Sequence, residues 1–247
     1  MDLPLATVYG FALLLFRTAA LCATAPVLGA RVVPARIRLS IAVALAFAVF
    51  AGAGAPAVPP PASLAGLAGA AALETGQGLL AGLAARWMLD AALGAGHLAG
   101  ISAGLGFSHL LDPITGADSS AVSETIFVVA QGCAVALGAH REAVGWLVRS
   151  TVAFPPGAPF DLSALALRTA GEAAVSAGLA VRLAFPVMAA VLVGHLFMGS
   201  LNRLAPQLSL QNVGFSVAIL AGGLALYLAA PGAAELAARA AVAAFQG

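Results

Sequence analysis

Charged side chains are scarce in this chain, and four of them fall within or beside long apolar runs: Arg17, Glu74, Glu172 and Arg182. An ionised group at that depth is costly and normally faces protein, water or an opposite charge. Arg17 and Glu74 are the deepest opposite charges in the first three apolar runs, which makes them a candidate buried pair whose attraction offsets desolvation. The competing reading for each is a side chain that snorkels to the interface. Met188, His195 and Asn202 recur every seven residues and so line one helical stripe. His195 has the chemistry of a proton carrier, although a lone histidine is more often a packing residue. No HExxH, CxxC, Walker loop, GxSxG or paired-carboxylate cluster accompanies these groups. Cys22 and Cys133 stand alone in apolar surroundings, where a thiol behaves as a small hydrophobe. The residue inventory therefore points away from an enzyme and calls for no metal or other cofactor.

The elements that must position these groups follow from composition. Of the 247 residues, 62% are hydrophobic and 9% charged, with a mean hydropathy of +1.02. Such a mixture lies outside the ordinary soluble range. Repeated apolar runs with no polar block long enough to fold separately predict one all-α, polytopic membrane domain over residues 1–247. The basic residues are eleven arginines without a lysine, and no basic tract suggests nucleic acid. Ala23-Thr24-Ala25 imitates a signal-peptidase site, but the acidic start, the long apolar run and Pro26 favour a retained first span.

Spans are predicted over residues 5–25 and 37–55. The loop between them holds Arg31, Arg36 and Arg38 and reads as cytoplasmic. Pro56, Pro59, Pro60 and Pro61 make a stiff uncharged link. Residues 64–111 contain no proline, yet Arg86 and Asp90 interrupt them. The expectation is a hairpin turning near these two residues, with a single long helix as the alternative. A span over 121–138 follows, then a connector with Arg141, Trp146 and Arg149 that suits a short interfacial helix. Two final spans in 183–230 flank a polar tip beginning at Asn202 and Arg203, and Pro186 predicts a kink in the first of them. Six to seven apolar helices packed as hairpins result. Seven crossings with the N-terminus outside place most arginines on the cytoplasmic side, and six crossings are the alternative.

Gly96, Gly100 and Gly104 recur at four-residue intervals, as do Gly78 and Gly82. Such stripes let another backbone approach closely, within the molecule or from a neighbouring subunit.

The stretch PVMAAVLVGHLFMGSLNRLAPQLSLQNVGF resembles the C-terminal signature of the FliR family of flagellar export-gate proteins, called SctT in injectisomes. Its matching residues include Pro186, Asn202-Arg203, Pro206-Gln207 and Gly214-Phe215. The resemblance extends to Arg17, Glu74, Gly78 and Gly82, and to the glycine helix leading through Phe107 to Asp112-Pro113. The sequence departs from the family's commoner residues at His97, Ser102-Ala103, Ala139 and Ser216. The resemblance implies a non-enzymatic subunit of a hetero-oligomeric helical export gate in the bacterial inner membrane. It also implies FliP-like, FliQ-like and FlhB-like membrane partners, and unfolded polypeptide passing through the shared centre. Residues 107–123, with Phe107, Asp112, Pro113, Gly116 and Asp118, would obstruct the closed path. By its residues alone that segment is a turn containing Asp-Pro and Gly.

Two other readings stand beside this one. An ion-coupled small-molecule secondary transporter would use Glu74, Arg182 or His195 at mid-membrane, but no two-half repeat with matching broken helices is evident. A purely structural nucleator would assemble its partners without forming the seal.

Overall fold

The computed structural model describes residues 3–30, 33–104, 121–159, 161–204 and 211–246. These form seven α-helices: α1 (Leu3–Thr24), α2 (Ala35–Gly52), α3 (Leu64–Ser102), α4 (Ala121–Ala136), α5 (Ala139–Ala153), α6 (Leu162–Leu204) and α7 (Gln211–Ala243). No strand occurs among the described residues. Five of the helices are long and apolar enough to cross a membrane, and α4 with α5 forms a broken pair that makes a sixth candidate.

The expected turn near Arg86 and Asp90 is absent, because α3 runs unbroken for 39 residues. Its middle, Arg-Trp-Met-Leu-Asp, contains neither proline nor glycine, and the two charges stand four apart, the spacing at which opposite charges support a helix. Met88, Leu89, Ala91 and Ala92 are buried and Arg86 and Asp90 are half-buried, so this stretch packs against protein along one side instead of forming an exposed turn. Among the described residues there are five or six candidate spans.

Two further boundaries differ from expectation. Helix α6 starts at Leu162, well before the apolar window, and continues through Pro186 for 43 residues. Asp161 caps its first turn by accepting hydrogen bonds from the Ser163 hydroxyl and from the Ser163 and Ala164 amides. Helix α7 passes Ala230 and Pro231 and ends at Ala243. Its last turns are rich in alanine, the strongest helix former, and Ala233, Ala234, Ala237, Ala238 and Ala241 are buried along one side.

The chain forms two compact units. The first comprises residues 1–87, 134–173 and 239–247, and the second 88–133 and 174–238. In unit 1 the core gathers Leu14, Leu21, Phe50, Leu147 and Phe245, with the Phe11 ring set edge-on to Phe50 at 5.6 Å. Helix α5 joins this core through Ala143 and Leu147, with Ala139 buried on the same face. The predicted interfacial helix is thus packed into a core.

Unit 2 is held by small residues. A side chain at Gly96 would lie 2.6 Å from Ser123 Cα, and one at Gly222 would lie 2.8 Å from Ala103 Cβ. Ile126 packs beside Gly96 and Val191 beside Gly222, and Ala95, Ala99 and Val187 are buried in the same unit. Close contact of this kind is how helices associate where lipid removes the hydrophobic drive.

Unit 1 has nine arginines against five acidic residues and unit 2 has two against five, so the formal charge of +1 divides into +4 and −3.

Candidate functional site

Arg17 lies in the apolar centre of α1 and is fully buried. A guanidinium offers five N–H donors and no acceptor, so burial demands several oxygen partners. Its Nε donates to Glu74 Oε2 on α3 at 2.6 Å. Nη1 donates to Ser150 Oγ on α5 at 3.2 Å, and Nη2 to the Phe154 carbonyl at 3.0 Å. The second oxygen of Glu74 accepts the Gly157 amide at 2.9 Å. Glu74 is itself only 2% exposed.

The local sequence explains this geometry. Pro155 follows Phe154 and disfavours a helical conformation there, so α5 ends and the Phe154 carbonyl is released to Arg17. Gly157 then takes φ +78°, a left-handed conformation that other residues adopt at a cost, which turns its amide toward Glu74. Around the pair, α1 and α3 are pressed together: a Cβ at Gly78 would overlap the Arg17 carbonyl oxygen, and one at Gly82 the Thr24 hydroxyl. The two glycines supply the proximity, and the ion pair supplies the polar partners.

The site is a latch by its chemistry. It joins α1, α3, α5 and the turn after α5, and holds no hydroxyl or thiol activated by a base. Among the described residues, no group of three or more His, Cys, Asp or Glu stands close enough to hold a metal.

The other singled-out residues do not converge on it. Arg182, Pro186, Met188, His195, Asn202 and Arg203 are exposed along α6, and Glu172 is half-buried. Gly100 is buried in α3, and Gly104 follows that helix with φ +78°. Gly214 and Phe215 belong to the first turns of α7. Phe107, Asp112, Pro113, Gly116, Asp118, Pro206 and Gln207 lie outside the described residues. Ser150, Phe154 and Gly157 were not foreseen as members of the latch. The available signal was arithmetic: one carboxylate cannot take every donor of a buried arginine.

A family model described as bacterial export proteins, family 1, matches residues 8–243. The chain belongs to this family, the FliR family. It is 30% identical over 218 residues to the flagellar biosynthetic protein FliR of Caulobacter vibrioides, spanning 87% of this chain and 86% of that protein. Against FliR of Escherichia coli K12 the identity is 30% over 210 residues, 84% of this chain and 79% of the relative. Against FliR of Pectobacterium carotovorum it is 32% over 156 residues, 62% and 59% of the two chains. The matched stretch contains the latch, the glycine stripes and every residue of the C-terminal signature. This FliR-family chain is a multi-pass membrane protein, on its helices and its relatives together.

Proposed function

We propose that this chain is a component of flagellar protein export, a non-catalytic subunit that lines and helps close the inner-membrane path taken by unfolded polypeptides. Family membership supports an export role. The observation that favours a subunit over a self-sufficient transporter is the apolar face of α6. Exposed large apolar residues recur along it from Leu167, through Val175, Phe185 and Leu192, to Phe197, with the exposed Arg182 among them. At 1.5 Å per residue that row is about 45 Å long, whereas the hydrocarbon core is about 30 Å thick. Lipid alone does not cover it, so part of it is suited to other apolar helices, which under this reading come from FliP-like, FliQ-like and FlhB-like proteins. With no nucleotide-binding loop in the sequence, energy for movement comes from elsewhere.

Gentle extraction followed by a native-mass measurement tests the proposal. A fixed-ratio hetero-complex is the expected result; a functional monomer or homo-oligomer would overturn it and favour ion-coupled transport. The closing role rests on residues 107–123. Deleting 112–119 in an assembled complex is expected to raise ion leakage, and unchanged leakage would leave this chain a nucleator of assembly.

A further inference from the structure

Unit 1 contains a half-open cavity of about 330 Å³, bounded by α3, α5, the start of α6 and the segment after α7. Its lining is of two kinds. Ala81, Ala84, Ala153, Leu165 and Phe245 are apolar, while Arg149, Arg168, Trp146, Gln77 and Glu172 bring polar groups to the same space. Arg149 uses one N–H on the Phe245 carbonyl at 2.8 Å and has Glu142 at 3.9 Å. Arg168 makes no hydrogen bond or ion pair among the described residues.

We propose that this cavity binds the phosphodiester of an anionic phospholipid of the phosphatidylglycerol type, with Arg149 and Arg168 on the phosphate. Guanidinium groups are the side chains best shaped for phosphate oxygens. A basic pocket between helices of a membrane protein is a suitable seat for an anionic headgroup. The apolar lining suits the glycerol and the first acyl carbons, and Trp146 adds an amphipathic ring to it. Glu142 offsets Arg149 and Glu172 faces the same space, so little positive charge is left in excess, which matches a phosphodiester better than a doubly charged phosphate. Glu172 and Gln77 are also acceptors for the headgroup hydroxyls that phosphatidylglycerol has and phosphatidylcholine lacks. The volume is of the order expected for a small-ligand site. Unit 1 as a whole, the cavity arginines included, carries a formal charge of +4, which favours an anionic over a zwitterionic lipid beside it.

The test uses the full chain in whatever assembly mild extraction yields, delipidated in detergent and titrated with phosphatidylglycerol or phosphatidylcholine under native mass spectrometry. Retention of one phosphatidylglycerol at concentrations where phosphatidylcholine is lost is expected. Arg168→Gln should weaken that retention about fivefold, the contribution of one arginine near an anionic surface, while Arg141→Gln, outside the cavity, should not. Arg168 is exposed and makes no described polar contact, so this variant is expected to fold even if Arg149→Gln, which loses the Phe245 bond, does not. Equal retention of the two lipids, or no effect of Arg168→Gln, overturns the proposal. So does displacement of phosphatidylglycerol by millimolar inorganic phosphate, which would make the cavity a small-anion site.

Discussion

At the scale of single residues, the question is what a buried charge pair does when half of it is removed. Truncating one partner strands the other without water, at a typical cost of about 3–5 kcal/mol. Arg17→Leu and Glu74→Leu are therefore each expected to lower thermal stability strongly in detergent. The double variant should lose much less than the sum, because neither charge is left alone. It should not return to the parent value, since the Gly157 amide and the Phe154 carbonyl lose their partners, each a loss of about 1–3 kcal/mol. Strictly additive losses would mean that the two side chains act independently. The opposite charges of the latch were legible in the sequence, because two ionised groups in apolar runs have few other solutions. Its hydroxyl and backbone members were not, because serine, proline and glycine between helices look the same whether or not an arginine reaches them.

At the scale of helices, small residues set the spacing. Gly78→Ala pushes a methyl into the Arg17 carbonyl, while Gly69→Ala on the same helix meets nothing within 4 Å. The first is expected to destabilise by about 1–3 kcal/mol, and the second to be neutral or to stabilise by up to about 1 kcal/mol; unfolding of the purified variants compares them. Continuity of α3 is open to a distance measurement. Spin labels at Ala68 and Ile101, both exposed, should lie about 50 Å apart on one helix. A hairpin would bring the two arms to about 10 Å between axes, so a short distance would restore the turn near Arg86. Hydropathy located the apolar centres of these helices but not their ends, because alanine extends α7 past Pro231 and a cap starts α6 before its apolar run. That cap predicts a pH effect. The Ser163 hydroxyl first, then the Ala164 and Ser163 amides, hold the Asp161 carboxyl below the usual carboxylate range. A lowered folded-state pKa stabilises above the unfolded value, and the benefit disappears as pH falls through the folded value. The melting difference between the parent and Asp161→Ala should therefore be present at pH 7 and shrink below about pH 4; a constant difference would exclude the ionised cap.

At the scale of the whole molecule, the sequence reveals a membrane protein with an arginine bias, and the fold concentrates that bias in unit 1. The number of crossings was less legible, because counting apolar windows assumes each helix to be about one bilayer long. Helix α3 has 39 residues and α6 has 43, about 58 Å and 64 Å. A hydropathy profile does not distinguish a helix that crosses lipid from one that continues among protein neighbours. The row from Leu167 to Phe197 is where the difference becomes testable. Its two ends are too far apart to share about 30 Å of hydrocarbon unless the helix tilts well beyond the usual range. A glutamate at a lipid-facing position near an interface costs little, whereas one pressed into a helix-helix contact is left without a partner. Leu167→Glu and Phe197→Glu should therefore both reach the membrane, and at least one should reduce recovery of partner subunits after mild extraction by about tenfold or more, the consequence of roughly 1.4 kcal/mol lost at the contact. Full recovery of an unchanged hetero-complex with both substitutions would remove this face from the assembly.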